Sequence, residues 1–437
     1  MRRKLPARSN SHPKMGTTPP SFKGKVTPTP AADIPIGAAT GRMRQQWTLP
    51  KIGAVAFPAY GDGGLHCGLL MILRWLPTFV LTALCVAGPA LAVDLEPILS
   101  SAMAGTSTPA LAALVMQDGK VTSEGVRGVR RNDGIDPAQK RDMWHLGSDG
   151  KPITTAMIAR LVDHDVLKWT TPLSEMLPGL AQKMRPEYRK VTLAELLSHR
   201  SGLPHDAGDL NVVLLPYFTD KRSLPEQRYA YVTEALSQAP VAPPGTKSSY
   251  SNTGFIVAAV IAERATGLSY EELMRREVFE PLGMTSAGFG LPPKGQPSAH
   301  FHGTPVSRIE DTTALMFAPA GNMHMSLQDW AAFCLDQMAG FHGRGKLLSP
   351  ASYKLMQTPV APGEPALGWG MFESLGGRKG PVLEHNGSDG TWYAVVALFP
   401  EQQSGVLVVT NSGASMGGDK AAMTAFFRIL PELAPPQ

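Results

Sequence analysis

The chain has 437 residues, 43% of them hydrophobic and 18% charged, a globular composition that excludes a collagenous, fibrous or wholly disordered polymer. Its formal charge of +5 is unevenly placed: residues 1–70 hold ten Lys or Arg against two acids, Asp33 and Asp62, and Arg74 adds one more, so the chain from residue 93 onward carries about −4. A body of that sign has no electrostatic footprint for nucleic acid.

Residues 1–70 are rich in Pro, Lys and Arg and lack a periodic apolar pattern, so they are expected to be disordered or not to belong to the native protein, with Met71 as the expected start. Residues 71–92, MILRWLPTFVLTALCVAGPALA, have the three parts of a secretory signal. Arg74 supplies the positive end, an apolar stretch follows, and Ala90-Leu91-Ala92 makes a small-residue cleavage site. The competing reading is an uncleaved anchor; Pro77, Pro89 and the Ala-x-Ala end favour cleavage. An exported enzyme in the periplasm or outside the cell is therefore expected, touching a membrane only through this segment. Cys67 and Cys85 fall outside the mature chain and leave Cys334 alone, so no intramolecular disulfide is expected.

The remainder, 93–437, reads as one domain. A short helix is predicted from about Asp94 to Met103. Strands follow at Ala110–Gln117 and Lys120–Val129, joined by the turn Asp118-Gly119. After Ser148, apolar residues recur at helical spacing: Ile153, Met157, Ile158, Leu161 and Val162. The stretch 150–370 is mostly helical with Pro/Gly-rich loops. Strands return at Pro381–His385, Trp392–Phe399 and Gly405–Asn411, before a last helix from about Asp419 to Leu430. The predicted class is α+β: an antiparallel sheet built from both chain ends and flanked by helices, with a mostly helical subdomain and a site at the seam.

Three motifs carry chemistry. Ser148-Asp149-Gly150-Lys151 is a Ser-x-x-Lys. At a helix start, residues three apart share a face, so the amine reaches the hydroxyl, and the helix N-terminus favours the developing negative charge. Ser148 follows the strand-like Met143–Leu146 and precedes the periodic helix; a second such motif, Ser11 to Lys14, has neither feature. Tyr250-Ser251-Asn252 precedes an apolar helix predicted from Phe255 to Arg264; a phenol can relay a proton and an amide can bind a substrate carbonyl. His385-Asn386-Gly387-Ser388 ends a predicted strand. Gly387 is expected to let a substrate backbone lie close to the strand, and the amides of Ser388 and Ser148 to form an oxyanion hole.

With these motifs in this order, the chain resembles the β-lactamase-related serine hydrolases, a group that includes class C β-lactamases, D-alanyl-D-alanine carboxypeptidases, D-aminopeptidases and esterases. The resemblance runs from about residue 108 to 430. It is supported by Val191–His199, Ser201-Gly202-Leu203-Pro204, Pro281–Met284, Pro319-Ala320-Gly321-Asn322 and His385–Phe399. It implies an antiparallel sheet flanked by helices with a helical subdomain. It also implies that Ser148 is a nucleophile forming an acyl-enzyme, that Lys151 and Tyr250 share acid/base work, and that Asn252, His385, Gly387 and Ser388 contact substrate. No cofactor or metal is implied; the partner is a small-molecule or peptidoglycan-like substrate. Antibiotic-degrading members usually carry Lys where this chain has His385, and a neutral imidazole pairs poorly with a carboxylate. An ester, amide or D-peptide substrate is therefore favoured over a β-lactam. The sequence leaves both Lys151 and Tyr250 open as the general base; Asp149, between Ser148 and Lys151, would favour Tyr250 if its carboxylate keeps Lys151 charged.

Three rival readings follow from other residues. Gly413-Ala414-Ser415-Met416-Gly417 matches a nucleophile elbow, but no His follows Ser415, so it reads as a turn. His300, His302, His199 and His205 lack metal-ligand spacing and read as surface or loop histidines. A non-catalytic cell-wall sensor on the same fold is the reading from a different functional class.

Overall fold

Apolar runs from opposite ends of the chain meet in the middle of one sheet. The computed structural model describes residues 92–208, 215–306 and 313–433; residues 1–70 and the expected signal, except Ala92, lie outside them. Near the start come α1 (Leu95–Met103), β1 (Ala110–Gln117) and β2 (Lys120–Gly128). The hairpin turn holds Asp118 at φ +51° and Gly119 at φ +68°, the left-handed pair that a two-residue connection needs. Toward the other end come β3 (Gly370–Leu375), β4 (Arg378–Ser388), β5 (Tyr393–Phe399) and β6 (Ser404–Thr410). The spatial order is β2-β1-β6-β5-β4-β3, and every neighbouring pair is antiparallel. Leu111 lies opposite Thr410 and Met116 opposite Gly405, so neither end of the chain can complete the sheet alone.

β1 and β6 are buried at every position because both their faces are covered. Alternate residues point to opposite sides. Leu111, Ala113, Val115, Val406 and Val408 pack on α1 and on the last helix through Leu95, Leu99, Ala425 and Phe426. Ala110, Ala112, Leu114, Leu407 and Val409 face the helical body. Within that body, α2 (Gly150–Asp163) is buried from Gly150 to Ala159, and α3 (Asn252–Thr266) from Asn252 to Glu263. A helix enclosed on all sides has a low amphipathic contrast, and the apolar stripe read from the sequence covers only part of what α2 buries. α4 (Leu327–Phe341) and α5 (Gly418–Ile429) complete the helices used below.

Three features depart from the sequence reading. β4 is longer at both ends than the predicted Pro381–His385, spanning Arg378–Ser388, so the third motif ends the strand as expected but lies wholly within it. β3 was not anticipated: it is a half-exposed edge strand without a buried alternation. Two short strands, Met323–Ser326 and Gly288–Phe289, are not legible in the sequence, because strands of two to four residues are too short to show a period; they form a small sheet with Met143–His145, the strand expected before Ser148.

The outer end of α3 is anchored by a buried cation. Arg228 is fully buried and donates to Glu263 at 2.6 and 3.1 Å and to Glu271 at 2.9 Å. Removing one member of a desolvated pair strands the others. Arg228→Ala is therefore expected to cost about 3–5 kcal/mol, measured by chemical denaturation; a loss within error of zero would mean that water reaches the carboxylates.

Candidate active site

The candidate nucleophile arrives on a turn that other backbones touch directly. The strand Met143–His145 leads into a 3-10 turn, Gly147–Asp149, which continues into α2. Gly147 has φ +52°, and a Cβ there would stand 2.5 Å from the Ser388 amide nitrogen. A Cβ on Gly387 would stand 2.6 Å from the Ser148 nitrogen, and one on Gly321 2.9 Å from the same atom. Gly387 thus makes room for the nucleophile turn, not for a substrate backbone as the sequence reading had it. The contact also brings the amides of Ser148 and Ser388 to the same place.

His145, buried, holds the turn from below. Its Nδ1 accepts from the Gly147 amide at 3.2 Å, and its Nε2 lies 3.0 Å from Asn322 Oδ1. An amide donor on one nitrogen and a carbonyl acceptor on the other select the tautomer protonated at Nε2. The Asn322 amide is fixed in turn by the Thr313 carbonyl at 2.7 Å.

The side chains of the first two motifs converge. The Tyr250 hydroxyl donates to Ser148 Oγ at 2.7 Å, and Lys151 Nζ lies 3.0 Å from the same oxygen. Lys151, fully buried, also donates to Asn252 Oδ1 at 2.8 Å and to the Ala320 carbonyl. Asn252 is the first residue of α3. The cap is Ser251, whose Oγ accepts from Gly254 N at 3.1 Å. Asn252 Nδ2 donates to Asp206 at 3.1 Å, and Asp206 also contacts His205 Nδ1. Tyr250 stacks on His199 with ring centroids 4.6 Å apart. His199 accepts from the Ser251 amide through Nδ1 at 3.1 Å.

His385 comes from the far side. Its Nδ1 lies 2.9 Å from the Asn386 carbonyl and 3.2 Å from Asp149 Oδ1. The Ser388 hydroxyl points away, donating to the Trp392 carbonyl at 2.7 Å, so only its backbone is turned to the site.

Burial sets the protonation states. It pushes Lys151 down to about 7, against the pull of Asp206 and Asp149. It raises Tyr250, which stays a phenol, and raises Asp149 well above the usual carboxylate range. Burial and the charge of Lys151 together press His385 down to about 4 and His199 well below its ordinary value. Asp149 pulls Lys151 toward its charged form, as the sequence suggested, but burial outweighs that pull, and the Asp149 carboxyl group lies against His385.

A family profile described as Beta-lactamase matches residues 95–426. The chain belongs to the β-lactamase family. Among curated members, it is 27% identical over 347 residues to Penicillin-binding protein 4 of Amycolatopsis lactamdurans, covering 75% of this chain and 86% of that one. It is 23% identical over 317 residues to the D-alanyl-D-alanine-carboxypeptidase/endopeptidase AmpH of Escherichia coli K12, covering 70% and 80%. The fold matches that of an octameric penicillin-binding protein homologue from Pyrococcus abyssi, with a TM-score of 0.63, 23% identity and 77% of each chain covered.

The rival features lie elsewhere. Ser415 sits exposed in a 3-10 turn between β6 and α5 and, among the described residues, accepts only from the His302 backbone amide, at 3.3 Å. His300 and His199, read from sequence as surface or loop residues, are buried: the first bonds the Asn411 carbonyl at 2.9 Å, the second stacks on Tyr250. Among the described residues no helix is long and apolar enough to cross a membrane.

Sequence reasoning did not single out Asp206, His199 or the Ala320 carbonyl as parts of the site. Ser201–Pro204 and Pro319–Asn322 flagged the segments, but nothing in them says which atom faces the amine. Because Asp206 stabilises the charged form of Lys151, Asp206→Asn should shift the midpoint for fluorophosphonate labelling of Ser148 from near 7 to lower pH. Neutral amine then persists further into acid. An unmoved midpoint would show that Asp206 does not act on Lys151.

Proposed function

We propose that the chain is a serine hydrolase that forms an acyl-enzyme on Ser148 and hydrolyses an ester, amide or D-amino-acid peptide. One observation carries this reading: Ser148 Oγ lies within hydrogen-bond reach of a buried amine whose other two partners can only accept. In its neutral form, Lys151 gives its two N–H groups to Asn252 Oδ1 and the Ala320 carbonyl. Its lone pair is left for the Ser148 proton. An amine titrating near 7 is a base matched to neutral pH.

In the proposed mechanism, Ser148 Oγ attacks the substrate carbonyl as its proton passes to Lys151. The amides of Ser148 and Ser388 stabilise the oxyanion. Tyr250, a phenol in the resting site, relays a proton to the departing group. Asn252 keeps one N–H beyond the one given to Asp206, and this reaches the substrate carbonyl. Water then releases the acyl group along the reverse route. The peptidase named in the relative AmpH supports peptidoglycan-type peptides as one substrate class. Residues 71–92 are proposed as the export signal that delivers the enzyme there.

A β-lactamase proper is the second reading, since the family is named for that activity. A neutral His385 disfavours it, because carboxylate-bearing drugs then lack a cation. A cell-wall sensor would have no use for a lysine held near neutrality against a serine.

Ser148→Ala should abolish labelling and turnover while leaving the thermal transition in place; substantial remaining esterase activity would remove Ser148 from the role. Ser415→Ala should turn over like the unsubstituted enzyme. His385→Lys should raise kcat/KM for nitrocefin relative to that for a neutral p-nitrophenyl ester, as an ammonium meets the carboxylate. A ratio unchanged or lowered, in a folded variant, would take His385 out of the substrate site.

A further inference from the structure

The alternation of β4 sorts its side chains. Glu384 and Asn386 share one face of the strand, where Asn386 Nδ2 approaches Glu384 Oε1 at 3.4 Å. His385 and Gly387 share the other face, which lies on the nucleophile turn. Asp149, directly after Ser148, is fully buried beneath the His385 ring. Its Oδ1 lies 3.2 Å from Nδ1, and its Oδ2 has no hydrogen-bond partner among the described residues. The Asn386 carbonyl, 2.9 Å from the same Nδ1, can only accept. Nδ1 therefore carries the proton whatever the charge on Asp149, and Nε2 carries the lone pair. Nε2 makes no hydrogen bond among the described residues and is not a buried orphan. The ring stands within the field of Lys151 and of Glu384. The site thus presents an unused acceptor on the strand that edges the nucleophile.

We propose that Asp149 and His385 form a specificity pair, in which Asp149 holds the ring with Nε2 toward the site, so that the substrates selected carry an uncharged hydrogen-bond donor there. Suitable groups are a carboxamide, a peptide N–H or a hydroxyl. This inference rests on the proposed role of Ser148 and refines its substrate class. A carboxylate at that position would meet a lone pair and a buried acid in place of a cation. A carboxamide would complete the one bond the ring lacks. His385 is the residue that touches substrate; Asp149 is a positioning residue that acts through it.

Substituted phenylboronic acids test this, because the boron takes the serine oxygen and a meta substituent then samples the surroundings. The probes are unsubstituted phenylboronic acid and its 3-carbamoyl, 3-methoxycarbonyl and 3-carboxy derivatives. Inhibition constants are measured against hydrolysis of a neutral p-nitrophenyl ester. The carbamoyl compound should bind about fivefold more tightly than the methyl ester, the size of one neutral hydrogen bond. The carboxy compound should bind most weakly of the three. Asp149→Leu, which removes the acceptor under the ring, should shrink the carbamoyl advantage to less than twofold. Asp149→Asn, which keeps an oxygen there, should retain it.

Equal binding of all three derivatives by the unsubstituted enzyme would overturn the proposal and leave the hydrolase reading intact. So would tightest binding of the carboxy compound; neither outcome depends on a variant. Retention of the full advantage in folded Asp149→Leu would remove Asp149 from the pair. If even the parent boronic acid binds no better to the enzyme than to Ser148→Ala, the role of Ser148 fails and this inference falls with it.

Discussion

Lys151 Nζ is a fully buried amine, and the site is organised around that fact. Burying an ammonium costs several kcal/mol unless other groups replace its hydration. Here three oxygens do so: Ser148 Oγ, Asn252 Oδ1 and the Ala320 carbonyl. They come from the turn before α2, the first residue of α3 and the segment Ala318–Gly321. None of these pieces can shift without stranding the amine. The same burial that demands the oxygens also lowers the amine's proton affinity toward neutrality, so the packing requirement and the proposed chemistry have one cause.

Holding those pieces in register falls to backbone contacts that no side chain could make. Gly147, in the turn at Ser148, and Gly321 and Gly387, on the two segments laid against it, stand where any Cβ would collide with main-chain atoms. β4 reaches the turn only because the sheet is closed by pairing β1 with β6. The ends of the chain must therefore come together before the site exists. The polar supports follow the same logic: His145 with Asn322 below the turn, Asp206 behind Asn252, and His199 stacked on Tyr250. Each fixes the tautomer or orientation of a group that would otherwise have a choice.

Two buried carboxylates near the amine play different parts. Asp206 is satisfied by Asn252 and His205 and contributes its field to Lys151. Asp149 is closer in sequence yet directed away, with one oxygen on His385 and the other unpartnered. Adjacency along the chain suggested the opposite, because in the turn at Gly147–Asp149 neighbouring side chains diverge while residues three apart align. In this way the residue between Ser148 and Lys151 becomes a buried neighbour of His385 on β4.

Much of this protein is determined locally and is legible from the chain alone. Alternating and continuous apolar runs specify β1, β2, β5 and β6, because a strand packed on one or both faces must carry side chains to match. The spacing of Ser148 and Lys151 places them on one helical face, and the order of the three motifs points to the family. Tertiary structure decides what depends on atoms without a side-chain signature or on partners distant in sequence. The Ala320 carbonyl that receives the lysine is backbone, and the edge strand β3 buries too little to need a pattern. His199 is buried although its sequence context is a loop. The direction of Asp149, and with it the contact to His385 236 positions away, exists only once β4 lies on the turn that carries Ser148. Hydrophobic periodicity is a property of each segment by itself. Proton positions and orientations in a buried polar site belong to the set of groups that share it, and that set is assembled only by the fold.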